Sequence, residues 1–246
     1  MRSLSWLDAL PALLVSTCAT LALGCGSSAL DGPSTAEPTV EAEHARAPLP
    51  RSTRSTGADD TNGHAVVLGD AGGAGDGTPL HAKQGHALAA FAAGCFWGVE
   101  DAFRKLPGVT ATAVGYAGGH VDHPTYERVC DHDTGHAETV LVEFDPERIA
   151  YAKLLRAFFQ IHDPTTLDRQ GPDVGDQYRS EIFTFDDAQA KAAREAIEAT
   201  QKALGARVVT KVEAMPAFWR AEDYHQQYAE KNGYHGCPTG KLDGLL

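Results

Sequence analysis

At 246 residues, with 21 Lys and Arg against 33 Asp and Glu, the chain carries a formal net charge of -12. That balance argues against a nucleic-acid partner and against adsorption to anionic lipid. The length suits one medium domain with additional segments, and the 43% of hydrophobic residues are spread unevenly along it.

Residues 1–25 have the form of an export signal with a lipobox-like end. Arg2 supplies the positive start, and Leu10 to Leu23 is an apolar run of signal length, too short for a bilayer span. The run closes on LALGC, where Cys25 would become the lipidated first residue of the mature protein; Asp8 and Ala22 depart from the usual pattern. Ordinary cleavage near Ala29 would instead leave a soluble secreted protein. The expected location is outside a bacterial cytoplasm, either periplasmic or anchored to a membrane as a lipoprotein. Residues 26–86 hold almost no large apolar side chains, as in GDAGGAGDGTPLHAKQGH, and cannot offset their ordering entropy by burial. A disordered low-complexity tether is expected there. Residues 87–246 remain as the folded domain, long enough to bury a core without disulfides.

Within the domain, HALAAFAAG reads as a short strand leading into a Gly94–Cys95 turn. Apolar residues at Phe96, Val99, Phe103 and Leu106 then recur at helical spacing until Pro107 and Gly108 stop the run. Val109 to Tyr116 is strand-like, followed by a Gly118-Gly119 turn and a polar loop. From Ala137 to Phe144 a strand is predicted in which Glu138, Val140, Val142 and Phe144 share one face. A helix over Ile149 to Ile161 turns Leu154, Leu155, Phe158 and Phe159 inward. A long loop, HDPTTLDRQGPDVGDQY, follows. Arg179 to Phe185 is a strand, and Asp186 or Asp187 caps an Ala-rich helix that Gly205 closes after Leu204. Ala206 to Ala214 reads as another strand, AEDYHQQYAEK as a last helix, and the tail as irregular. Strands and helices interleave, which predicts an α+β sandwich of mixed sheet and helices.

Of the five cysteines, Cys18 and Cys25 fall in the export region, leaving Cys95, Cys130 and Cys237 in the domain. An odd number in an exported protein leaves at least one thiol free or transiently paired. Cys95 stands at the start of a helix, where unpaired N–H groups and the positive dipole end favour a thiolate. A buried structural cysteine is the bland alternative. Phe96 lies on the apolar stripe of its helix and suits core packing, whereas Trp97 falls off that stripe and suits an aromatic wall beside the thiol. Glu138 shares parity with apolar residues, so burial would raise its pKa and keep it able to donate a proton near neutrality. If that strand end lies at solvent, the parity means nothing. Cys130, His132 and His136 have metal-ligand chemistry, but no second cysteine pair lies nearby to complete a structural zinc site. They read as loop residues, and no metal is expected.

The segments GCFWGVE (94–100), VGYAGG (114–119), PTYERVC (124–130), DTGHAE (133–138), HDPT (162–165), QGPDVGDQYRS (170–180) and AEDYHQQY (221–228) together resemble the A-type peptide methionine sulfoxide reductases. The resemblance implies a two-layer, ferredoxin-plait-like fold. It implies Cys95 as the nucleophile on the sulfoxide sulfur, Phe96 and Trp97 as the cradle of the substrate methyl, and Glu138 as the acid on the sulfoxide oxygen. Tyr126 and Tyr178 match the tyrosines that bond that oxygen, Asp173 the carboxylate at the edge of the site, and Cys237 the resolving cysteine. The implied products are methionine and a Cys95 sulfenic acid, which Cys237 converts to a disulfide. The implied co-substrate is a thiol reductant such as thioredoxin, with no further cofactor. The implied substrates are oxidised proteins or peptides carrying methionine S-sulfoxide. Cys130 reads as structural. Two other classes compete: a cysteine hydrolase with His136 as base, and a ligand-binding lipoprotein retaining the remnants of an enzyme. The filled catalytic positions count against the second.

Overall fold

The computed structural model describes residues 75–77 and 80–233. The first strand, β1 (Ala87–Ala93), is made of small and apolar residues and is buried almost throughout. It sits between two antiparallel neighbours, with Phe91 opposite Val140 of β3 (Ala137–Phe144) and opposite Ile182 of β6 (Ser180–Thr184). On the far side of β3 lies β2 (Val109–Ala117), also antiparallel. Helix α1 (Phe96–Arg104) connects β1 to β2, and α3 (Tyr151–Ile161) leads from β3 toward β6. This split β-α-β arrangement is the ferredoxin-like plait. After α4 (Asp187–Leu204), β7 (Lys211–Ala214) joins β6 in parallel, and β8 (Trp219–Arg220) pairs with β2. The full order is β7-β6-β1-β3-β2-β8.

Side-chain alternation divides the core. On the helical face, Phe91, Val114, Val140, Val142 and Ile182 meet Phe96, Val99 and Phe103 of α1 and Leu154, Leu155 and Phe158 of α3. At its centre Phe91 stacks on Phe103 at 4.8 Å and on Phe158 at 5.4 Å. Each such fully buried aromatic contributes about 3 kcal/mol of transfer free energy. On the opposite face Leu88, Ala90, Leu141 and Phe183 pack with Phe218, Leu80 and Met215. Two layers of secondary structure are thus present, as the sequence implies, with coil covering the outer face of the sheet.

That covering corrects one boundary. The tether is expected to run to residue 86, but the described part of its end lies on the domain. Asp76 bridges to Trp219, Gly77 N–H donates to Phe218 O, and Arg220 N–H donates to Gly75 O. Buried Glu143 accepts from Lys83 N–H and, at 3.0 Å, bonds Nδ1 of His86. As a result β3 is buried on both faces rather than alternating between core and solvent. The export signal, the lipobox cysteine and the rest of the tether lie outside the described residues.

Element ends also shift. Helix α1 stops at Arg104, two residues early, and α3 starts at Tyr151 behind an Asp145 turn. The loop after β2 contains a short helix, α2 (Tyr126–Cys130), capped by the Thr125 hydroxyl on Arg128 N–H. The long loop after α3 folds into a hairpin of β4 (Arg169–Gln170) and β5 (Asp173–Val174), then a 3-10 turn at Asp176–Tyr178. Asp186 is the residue that caps α4, accepting from Gln189 N–H at 2.7 Å, and Gly205 closes it in the left-handed conformation. The last helix is shorter than expected, α5 (Tyr228–Asn232). Residues 221–227 instead run as turns because their side chains bond elsewhere. The Gln226 amide spans Val114, accepting from its N–H at 3.0 Å and donating to its carbonyl at 2.9 Å.

Candidate active site

β1 delivers Cys95 through Gly94, whose φ of +94° is costly for any residue with a side chain. A Cβ at Gly94 would also lie 2.6 Å from Cγ of Gln170, so the bend is tucked against β4. Cys95 is the N-cap of α1, one residue ahead of the helix, and is half-buried. The N–H groups of Trp97 and Gly98 reach its sulfur and favour the anion. Burial, joined by the Glu138 charge once that carboxyl ionises, acts the other way and prevails, so the thiol pKa is raised far above its ordinary value. The expected helix-start thiolate is therefore not the resting form: the dipole of one short helix is outweighed by desolvation.

Glu138 sits on the helical face of β3, 2% exposed, opposite Tyr116 in register. Its Oε2 accepts from Phe96 N–H at 3.0 Å, an N–H of the first turn of α1. Burial raises its pKa to about 8, opposed by the Phe96 N–H and assisted by Asp173. It therefore holds its proton at neutral pH, beside the helix that Cys95 caps. The parity reading places this residue correctly.

Phe96 is buried against Tyr116 and His225, with ring centroids 6.0 Å and 5.1 Å away. Trp97 is partly exposed. Its ring stacks on Tyr228 at 3.9 Å, and its indole N–H donates to Nδ1 of His225 at 3.0 Å. Burial lowers the His225 pKa to about 4, so the ring is neutral with its proton on Nε2. That nitrogen has no hydrogen-bond partner among the described residues, the Glu222 carboxylate standing 3.8 Å off.

Tyr126 enters from α2 and Tyr178 from the 3-10 turn. Both hydroxyls have raised pKa values, from burial first and Glu138 next, which puts both phenols in the field of that carboxyl. Tyr126 also hydrogen-bonds Cys130, four residues on along α2, so Cys130 faces the site's tyrosines. Asp173, on β5, acts electrostatically on Cys95, Glu138 and Tyr178. The structure thus gathers Cys95, Phe96, Trp97, Tyr126, Glu138, Asp173 and Tyr178. Cys237 lies outside the described residues. His132 pairs with Asp176 at 3.2 Å, and His136 bonds Val121 O and Gly119 N–H. With its ring so engaged, His136 is turned to the Gly118-Gly119 loop rather than available as a base.

Three contributors escape the sequence reading. His225 backs both aromatic rings, and only the AEDYHQQY match points to it. Glu222 accepts from Tyr116 O–H and from Tyr126 N–H, each at 3.0 Å. Buried Glu100 accepts from Thr112 O–H at 2.8 Å and from Gln227 N–H at 2.8 Å, holding the 221–228 segment onto α1. Glu222 lies in AEDYHQQY and Glu100 closes GCFWGVE, but no periodicity or spacing gives either of them a role.

The family described as peptide methionine sulfoxide reductase matches residues 87–242. The chain belongs to that family. Over 153 residues it is 58% identical to the peptide methionine sulfoxide reductase MsrA of Methanosarcina mazei, covering 61% of this chain and 72% of that one. The corresponding enzyme of Methanothermobacter thermautotrophicus is 56% identical over 156 residues, 63% of this chain and 92% of the other. Among solved structures, reduced Mxr1 of Saccharomyces cerevisiae superposes with a TM-score of 0.60 at 40% identity, covering 63% of this chain and 91% of that chain. Methionine sulfoxide reductase A of Corynebacterium diphtheriae gives 0.59 at 38%, covering 63% and 79%. The α+β fold read from the sequence is the fold of these reductases, and an oxidoreductase is what the family assigns.

Proposed function

We propose that this chain reduces the S-sulfoxide of methionine in oxidised proteins and peptides, through a sulfenic acid on Cys95 and a disulfide with Cys237. The observation that carries the reading is the buried Glu138 carboxyl, protonated at neutral pH and bonded to the first turn of the helix that Cys95 caps. A sulfoxide oxygen leaves only when protonated, so a neutral acid beside a thiol is the required pair.

In the mechanism, the substrate methyl rests on Phe96 and Trp97 and the oxygen lies toward Tyr126, Tyr178 and Glu138. Glu138 gives its proton to that oxygen while the Cys95 sulfur attacks the substrate sulfur and releases its own proton to the carboxylate. A resting thiol rather than a thiolate suits this exchange, because the proton leaving sulfur restores the acid. The restored Glu138 acid protonates the hydroxyl on the substrate sulfur, which leaves as water as its S–O bond breaks. A water then attacks the Cys95 sulfur, giving its proton back to Glu138, and the S–S bond breaks to release the thioether and leave the sulfenic acid on Cys95. The balance is RSH plus sulfoxide to RSOH plus thioether: the substrate sulfur gains two electrons and the cysteine sulfur loses two. Cys237 displaces water from the sulfenic acid, and a thiol reductant such as thioredoxin opens the disulfide. The protein requires no cofactor in this scheme.

Export and a lipid anchor at Cys25 complete the proposal, supported by the Arg2 start, the Leu10–Leu23 run and the LALGC ending. The domain would then repair proteins outside the cytoplasm at the end of a polar tether. Acyl labelling that survives Cys25→Ser would refute the anchor. For the reaction, purified S- and R-epimers of a peptide methionine sulfoxide are offered with a dithiol. Turnover of the S-epimer alone is expected, and equal turnover of both, or of neither, overturns the reading.

A further inference from the structure

Tyr178 ends a 3-10 turn entered through Gly175, and its own backbone bonds are few: Tyr178 N–H donates to Gly175 O at 3.1 Å, and Gly175 N–H to Asp168 O at 2.9 Å. The next residue, Arg179, is only 7% exposed. Its Nη1 donates back to Asp176 O at 3.0 Å, the carbonyl at the head of the turn. Its Nε donates to Glu181 Oε2 at 2.6 Å. The guanidinium lies against Gly118, where a Cβ would come within 2.7 Å of Nη2. Glu181 and Ser180 pair in register with Ala92 and Ala93, the two residues of β1 ahead of Gly94 and Cys95. One strand contact therefore references both the thiol and the turn that carries the phenol.

Taking an arginine and a glutamate out of water costs several kcal/mol per ion, and an apolar pair would pack as stably. A planar fork has a distinct use here, since it bridges two acceptors at a fixed angle, which a lysine ammonium cannot do. We propose that Arg179 is a positioning residue: by clamping the Asp176 carbonyl to Glu181, it fixes Tyr178 relative to Cys95. The exposed His132–Asp176 pair does not replace the clamp, because its side chains are 48% and 37% accessible and are screened by water. The proposal rests on the role given above to Tyr178.

The test is a double-mutant cycle of Arg179→Lys and Tyr178→Phe in the full-length protein, read as the single-turnover rate of sulfoxide reduction and as kcat and KM. Arg179→Lys is expected to lower kcat on the order of tenfold or more, since small misplacements of a catalytic contact have large effects. In the Tyr178→Phe background the same change should cost less than about twofold, because the contact it serves is already gone. The high-pH limb set by Glu138 should stay where it is. Equal losses in both backgrounds, or no loss in the wild-type background, overturn the proposal. Tyr178→Phe at the wild-type rate removes the Tyr178 role, and this proposal with it. Should Arg179→Lys fail to fold, Glu181→Gln leaves the guanidinium in place, weakens its anchor and runs through the same cycle.

Discussion

Replacing Glu138 by Gln should make the protein more stable and nearly inactive at once. The folded-state pKa of about 8 lies above the ordinary 4.5. Between those values the folded protein keeps a proton that the unfolded chain has released, so stability falls as pH rises through the window. At 1.36 kcal/mol per pH unit, the wild type loses about 3 kcal/mol between pH 4.5 and pH 7, and on the order of 5 kcal/mol by pH 8 and above. Gln is neutral at every pH and can still accept from Phe96 N–H, so the variant escapes this loss. Urea melts at pH 5 and pH 8 are the assay. Both proteins should be similar at pH 5, and the variant should be several kcal/mol more stable at pH 8. Single-turnover reduction by the variant should be slower by on the order of a hundredfold or more, with no proton donor left. In the wild type, the rate should fall about tenfold per unit above pH 8, as the acid ionises. A variant whose stability tracks the wild type at both pH values would refute the buried neutral carboxyl, whatever its activity.

Cys95→Ser should abolish reduction with any reductant, since an alcohol cannot form the sulfenic acid; appreciable residual turnover would remove Cys95 as nucleophile. Cys237→Ser should still reduce one equivalent of substrate per protein and trap a sulfenic acid, while thioredoxin-driven cycling fails for want of a disulfide. Normal cycling of that variant would instead point to Cys130 or to direct reduction. Gly94→Ala should destabilise by about 1–3 kcal/mol through its positive φ and push Gln170 away from the bend. A wild-type melting curve with a wild-type rate would contradict the tight Gly94–Gln170 approach.

The elements that could be read from the sequence are those whose burial is periodic. Phe96, Val99 and Phe103 repeat on α1, and Glu138, Val140 and Val142 on β3, so both the helix start and the acid's face are legible in the sequence alone. The two-residue strands β4, β5 and β8 have no period to detect and exist only through their partners. Helix α2 was hidden in a polar loop, although Thr125 is a cap that could have revealed it. The 221–227 segment misled in the opposite direction. Its composition favours helix, but Glu222, Gln226 and Gln227 spend their side chains on Tyr116, Val114 and Glu100 across the fold. The thiol's protonation was equally unreadable, because the helix start is local whereas the burial that overrules it is tertiary.

The reach of Gln226 to Val114 bears on how the molecule meets its clients. Without neighbours, β2 would be an outermost strand, and a row of unpaired N–H and C=O groups is a template for any extended chain. β8 takes up Gly115 and Tyr116, Ala221 N–H donates to Val114 O at 3.0 Å, and the Gln226 amide fills the remaining valence. A side chain thus completes what a two-residue strand is too short to cover. Oxidised polypeptide that is partly unfolded would find the Val114–Tyr116 stretch of that edge already paired. The repair domain can handle loose polypeptide there without recruiting it into its own sheet.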